Sequence, residues 1–292
     1  MAEPTTEELV TRLLGLLDVT PLSGDRFEGP RQIDGVGRVF GGQVIAQALI
    51  AAQATVAEDR PAHSLHAYFL RGGSEDHPVE YRVERAFDGG SFANRRITAM
   101  QQERQILSCS VSFHRREVGP HHQSEMPQVP PPEDLEPDHV VIDRHRAEIA
   151  GSAPPIVLRP RAIEMRAVRP LAVLSREPDP PEQHVWFRVR APLTDDPALH
   201  RAVLAYWSDM RLMGTALLPH GLAFARGDVT VASLDHAVWF HEDARTDDWL
   251  LYAMDSTWSG RARGLNHGRI FTRDGRLVAS VAQEGMFRPV KR

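Results

Sequence analysis

The chain predicts an α+β fold built twice over. Two long, largely apolar helices stand out, each followed by a run of antiparallel strand candidates. A proline-rich stretch separates the two sets. The expected packing wraps each antiparallel sheet around its own long buried helix. At 292 residues there is ample surface for two such units.

The first unit opens on a short helix. Thr5 and Glu8 have the spacing of a capping box, and Leu9, Leu13, Leu16 and Leu17 give it one apolar face to dock on the body. The first buried helix follows at Gly41–Gln53, with no charged residue and apolar side chains on nearly every side. Gly41 and Gly42 at its start let backbone or ligand approach its free amides. Strands are expected at Leu65–Leu70, Val79–Arg85, Phe92–Met100 and Ile106–Phe113. Their turns fall at Asp88-Gly89-Gly90 and Gln102-Glu103-Arg104. Cys109, on the apolar face of the fourth strand, reads as a small core residue.

Residues 115 to 182 hold 13 of the 22 prolines, which marks a long surface connection with a short amphipathic helix at Val140–Ile149. Strands at Ile163–Val168 and Val185–Val189 open the second unit. A helix over 198–217 comes next, then strands at Ser233–Phe240, Trp249–Met254, Leu265–Thr272 and Leu277–Gln283. The expected division is 1–118 for the first unit, 119–158 for the connection and 159–292 for the second, with the chemistry in the last.

The second helix holds the candidate residue that stands out in this unit. Asp196 before Pro197 reads as an N-cap, and Pro219 and Gly221 stop the helix. Ala198, Ala202, Ala205, Leu212 and Ala216 make a stripe of small apolar residues, and Asp209 fills the gap in it. A carboxylate on a face meant for burial must be paired or employed. Arg201 and Arg211 could pair with it; an acid with a function is the other reading.

Exclusions narrow the field. Net charge is −5, so no basic field is available for nucleic acid. A single cysteine permits no intramolecular disulfide and no cysteine-based zinc site, which suits a reducing cytoplasm. Glu3, Glu7 and Glu8 replace the basic start of a secretory signal, and no apolar run is long enough to span a membrane. There is no G-x-S-x-G, G-x-G-x-x-G or G-x-x-x-x-G-K-[ST]. The 14 histidines are scattered, so neither metal nor cofactor is expected.

The segment from Arg38 to Leu49, Arg-Val-Phe-Gly-Gly-Gln-Val-Ile-Ala-Gln-Ala-Leu, resembles the first helix of the type II acyl-CoA thioesterases. The likeness continues through His63–Arg71, Ser91–Arg96, Ser208-Asp209, Leu217–Gly221, Ser233–His241 and Val281–Gly285. It implies a double hotdog fold and hydrolysis of acyl-CoA thioesters, with a fatty acyl-CoA as the expected substrate. The family's water-activating Asp, Ser or Thr, and Gln fall on Asp209, Ser233 and Gln283. It also implies that the two units pair within one chain, and the sheet edges left open predict further assembly into a homodimer or tetramer. Alternatives on the same fold are an enoyl-CoA hydratase and a non-catalytic acyl-CoA-binding protein.

Around that set several readings stay open. The amides of Gly41-Gly42-Gln43 could stabilise the oxyanion, or the glycines could simply allow tight packing. Arg95 and Arg96 could hold CoA phosphates, or lie on a solvated strand face. Asp235 and His236 are adjacent on a strand and must face opposite ways, so they cannot share a site. The small stripe suggests that the thioester passes close to the second helix. The first helix, with Gln43 and Gln47 but no acid, reads as a non-catalytic counterpart, giving one active site per chain.

Overall fold

The computed structural model describes residues 4–290 except Asp34, Val36, Ala150, Ser152 and Pro154. Its first part holds α1 (Thr6–Leu17), β1 (Thr20–Pro21), β2 (Arg26–Gly29), α2 (Gly41–Gln53), β3 (Ala62–Phe69), β4 (Val79–Asp88), β5 (Phe92–Gln101) and β6 (Arg104–His114). The connection carries α3 (Asp138–Arg144), α4 (Arg146–Ile149) and α5 (Pro155–Leu158). Then come β7 (Ile163–Ala167), β8 (Glu182–Val189), α6 (Pro197–Ser208), β9 (Val229–Ser233), β10 (Asp235–Phe240), β11 (Leu250–Gly260), β12 (Arg263–Thr272) and β13 (Leu277–Pro289).

The two helix-plus-meander units share one antiparallel sheet, ordered β1-β2-β4-β5-β6-β3-β10-β13-β12-β11-β8-β7, with β9 beside β13. The seam between the halves is the β3–β10 pair, which sets Asp235 opposite Tyr68, Ala237 opposite His66 and Trp239 opposite Ser64. Inside lie the two long helices. On α2, Ala46, Ala48, Ala51 and Ala52 are fully buried, and small side chains there let strands and helix pack closely. At α1 the capping box forms in full: Glu8 N–H donates to the Thr5 hydroxyl, and Thr5 N–H donates to the Glu8 carboxylate. Its buried leucines then dock on α2.

The proline-rich connection is bound to the outside of the sheet. Met126, Val129 and Leu135 pack on Trp186, Trp249, Leu251 and Phe271, and Trp186 Nε1–H donates to the Pro130 carbonyl.

The helix expected at Val140–Ile149 divides at His145 into α3 and α4, and two further expected elements are broken beside the site. The helix expected over 198–217 ends at Ser208. Arg211 then takes left-handed backbone angles (φ 68°), and the chain continues as 3₁₀ turns over Leu212–His220. Partners elsewhere hold this break: Gln183 Nε2–H donates to the Arg211 carbonyl, and Ala216 N–H donates to Asn266 Oδ1. The expected strand Ser233–Phe240 divides at Leu234. That residue donates to the Glu284 carbonyl and accepts from Phe69 N–H, so it bridges β13 to β3.

Candidate active site

The site begins where the start of α2 meets the last turn of α6. Phe40 precedes α2 and offers no capping side chain. The last turn of α6 comes close enough that a Cβ on Gly42 would lie 2.1 Å from the Tyr206 carbonyl oxygen. A Cβ on Gly41 would lie 2.7 Å from Asp209 Oδ2. Only glycine fits at Gly42. In the space so made, Asp209, the C-cap of α6, accepts the Gly42 N–H at 2.9 Å through Oδ2. A carboxylate from one helix thus caps the positive end of the other.

Its second oxygen faces the sheet. Gln283 Nε2 on β13 donates to Asp209 Oδ1 at 2.5 Å and to Ser233 Oγ at 3.1 Å. The Ser233 hydroxyl, at the end of β9, donates in turn to Asp209 Oδ1 at 3.4 Å. Three residues expected from the sequence to work together, Asp209, Ser233 and Gln283, therefore form one hydrogen-bonded cluster. Gln283 is wholly buried, and its Oε1 has no hydrogen-bond partner in the structure. The ion-pair reading of Asp209 fails, because Arg201 pairs with Asp243 and Arg211 with Asp138.

Behind the acid lies a buried polar layer. Ser208 Oγ–H donates to the Ala205 carbonyl, so the 2.8 Å contact with His236 makes the Nε2–H of the imidazole the donor to Ser208 Oγ. Burial pushes the His236 pKa below its ordinary value, while the charge of Asp209 pulls it up. His236 Nδ1 is buried without a partner, and the Tyr252 hydroxyl donates to the Ser208 carbonyl. Asp235 points to the other face of the strand and is only partly buried, as strand alternation requires. Tyr252 carries no sequence signal for this place; only the fold brings β11 beneath the end of α6.

Asp209 and Ser233 open on a cavity of about 1240 Å³, and Gln283 sits behind them, off its wall. Leu9, Leu13, Val44, Ile163, Met165 and Leu171 give the wall its apolar stretches. Tyr206 also lines it, its pKa pushed up to about 12 by burial.

Three expectations around the cluster change. Of the amides at the start of α2, Gly42 N–H is taken by Asp209 and Gln43 N–H donates to the Phe40 carbonyl. Arg95 lies on no solvated face: it is buried, bonded to Thr55, the Phe87 and Asn94 carbonyls and Asp88, while exposed Arg96 faces Glu84. Ala202 and Ala205 are fully buried and do not line the cavity. Small residues there serve the packing of α6.

Comparison with known proteins places these features in a family context. Residues 174–286 match the family model described as acyl-CoA thioesterase, and residues 30–114 match that of the acyl-CoA thioesterase N-terminal domain. The chain is 40% identical to mouse acyl-coenzyme A thioesterase 8 over 290 residues, 96% of this chain and 89% of that protein. It is 35% identical to acyl-CoA thioesterase 2 of Haemophilus influenzae, covering 96% of this chain and 98% of the relative. The crystal structure of an acyl-CoA thioesterase II from Mycobacterium marinum superposes with a TM-score of 0.77 at 39% identity, over 95% of this chain and 98% of that one.

Proposed function

The chain belongs to the acyl-CoA thioesterase family, and from that premise we propose that Asp209 and Ser233 hold the attacking water while Gln283 fixes both of them. The observation that carries this reading is a carboxylate at the cavity wall, gripped by a helix amide, a buried amide side chain and a hydroxyl, whereas the wall's other acid, Glu75, is paired with Arg159. An ionised carboxylate accepts hydrogen bonds only, so Asp209 is the proton acceptor of the group. Oδ2, which accepts only the Gly42 N–H, keeps a lone pair for a water, and Ser233 Oγ offers that water a second contact. A thioester carbonyl is electrophilic enough for an oriented water and a base to suffice. As water adds, Asp209 takes its proton and charge gathers on the thioester oxygen. With Gly42 and Gln43 engaged, the Gly41 N–H at the cavity wall is the backbone donor left to meet it. Collapse of the adduct then expels the CoA thiolate.

A fatty acyl group is the substrate class we assign, on the apolar wall formed by α1, α2 and β7. The cytoplasm is the compartment we assign, on the single cysteine, and a homo-oligomer is the assembly, on the exposed Tyr68 and Leu70 at the seam of the sheet. Among the described residues no helix is long and apolar enough to cross a membrane.

The test is thiol release from a series of C2 to C18 acyl-CoAs by the wild type and Asp209→Asn. Asparagine can still accept from Gly42, so the fold should survive. Turnover is expected to fall about 10³-fold, the scale of a lost general base. Near wild-type turnover would overturn the mechanism. A profile peaking at short acyl chains would overturn the fatty acyl assignment.

A further inference from the structure

The cavity wall carries three exposed arginines, Arg12, Arg38 and Arg71, that no carboxylate answers among the described residues. Arg38 and Arg71 both line it, and among the described residues neither forms an ion pair. Two further arginines of the wall are answered, Arg159 by Glu75 at 3.0 Å and Arg211 by Asp138 at 2.6 Å, and Arg12 stands apart on α1. Arg38 and Arg71 are also held near each other. Arg38 bridges antiparallel to Ser74, and Val39 N–H donates to the Gly73 carbonyl at 3.1 Å. A Cβ on Gly72 would lie 3.4 Å from Arg38 Nε, so the Arg38 side chain lies across the residue next to Arg71. The Arg71 guanidinium is anchored from behind, donating to the Gln105 carbonyl at 2.9 Å. Two like charges kept together without a counter-ion repel, and a bound anion removes that cost.

Two backbone tracks lead inward from this pair. From Arg38 the chain runs through Val39 and Phe40 to Gly41, whose Cβ would touch Asp209. From Arg71 it runs back through Leu70 to Phe69, whose ring would lie 2.9 Å from that same Cβ. The first track is at most ~11 Å of extended chain. The pantetheine arm of CoA, roughly thirteen bonds from sulfur to the first phosphorus, equals about four extended residues or ~14 Å. An arginine side chain spans the difference.

The geometry points to Arg38 and Arg71 as the binding site for the phosphates of the CoA moiety, with pantetheine lying between Val39–Gly41 and Phe69–Leu70 and the thioester delivered at Asp209. Guanidinium forks suit phosphate, to which they can donate in pairs. The site rests on the thioesterase reading above.

Its test compares decanoyl-CoA with the decanoyl thioester of pantetheine, which lacks the phosphates. Arg38→Ala and Arg71→Ala should each raise KM for the CoA substrate about tenfold, the scale of a charged hydrogen bond. The double variant should lose the preference for CoA over pantetheine, along with most of its salt dependence. Arg38→Lys and Arg71→Lys should retain part of the preference. Thermal melts confirm that each variant is folded. The site is overturned if wild type shows no preference between the two thioesters, if the double variant keeps it, or if both substrates lose equally. Release of thiol from neither by the wild type would instead sink the thioesterase reading, and this site with it.

Discussion

The first buried helix, α2, spends its polar groups on holding the protein together. Gln47 Nε2–H donates to the Leu16 and Pro30 carbonyls while its Oε1 accepts from the Tyr81 hydroxyl, and Gln43 donates to Pro30. Past its C-terminus, Arg95 closes the end by donating to both the hydroxyl and the carbonyl of Thr55, a cation where the helix dipole favours one. The second helix, α6, caps its own start with Asp196 and ends on Asp209, which faces a cavity. Beside it, Gln283 Oε1 and His236 Nδ1 are buried without partners. Closed polar clusters hold a fold, whereas an acid at a cavity wall can meet a substrate. The same supersecondary unit, built twice, closes its polar groups on the fold in one copy and turns an acid to the cavity in the other, where we propose the chemistry.

The sharpest way to break this contrast is to cut one polar cluster in each unit. Gln283→Leu removes the amide that grips Asp209 and Ser233 while keeping similar volume. It should lower kcat by about 10²-fold, the cost of a misplaced reacting group, with a small change in stability. Arg95→Met removes a buried cation and leaves the Thr55 carbonyl and hydroxyl without their donor. It should cost about 3 kcal/mol in urea unfolding and leave the kcat of the folded protein as it was. Loss of activity in the second variant, or loss of stability alone in the first, would erase the distinction.

Local rules made much of this legible in the sequence. Thr5 and Glu8 announce their capping box because both partners lie within one turn. Asp209 stands out because a carboxylate in a stripe of alanines demands an explanation. What escaped is what distant residues impose. The end of α6 depends on Arg211, held in its left-handed conformation while its guanidinium pairs with Asp138 and its carbonyl accepts from Gln183. No local periodicity encodes that. For Gly41 and Gly42 the sequence leaves ligand approach and tight packing both open; Gly42 takes the packing role, admitting the carbonyl of Tyr206, and its amide is met by a residue 167 positions away. The readable hint was the absence of a capping side chain at Phe40.

Gly42→Ala tests this close approach. The new methyl would sit 2.1 Å from the Tyr206 carbonyl oxygen, which is backbone and cannot swing aside. The helices must part, at a cost of about 1–3 kcal/mol, and the bond from Gly42 N–H to Asp209 must lengthen. Urea unfolding and thiol release should therefore both register the change. Gly15, inside α1 with nothing within 4 Å of its Cβ position, is the control. Gly15→Ala should stabilise by about 0.5–1 kcal/mol and leave catalysis unchanged. A harmless Gly42→Ala would mean that the helix ends need no such contact.

The effect expected of His236 leaves catalysis aside, and it is one of pH. Burial keeps this imidazole neutral in the folded protein below the pH at which an exposed histidine takes up its proton. Above about pH 6.5 both folded and unfolded chains carry it neutral, so it contributes no slope. As pH falls through 6.5 the unfolded chain binds the proton and the folded chain does not, so stability declines, by up to about 1.4 kcal/mol per pH unit for one group. His63, His184 and His241, also shifted down by burial, add slopes of the same sign. The difference between wild type and His236→Asn isolates the single residue. Asparagine can still donate to Ser208, so the end of α6 should hold while the fall in stability from pH 6.5 to 5 becomes shallower. Parallel stability curves for the two proteins would show that His236 takes up its proton at the same pH folded and unfolded. A gain of wild type over the variant on acidification would make the layer behind Asp209 an ionic support rather than a neutral hydrogen-bonded one.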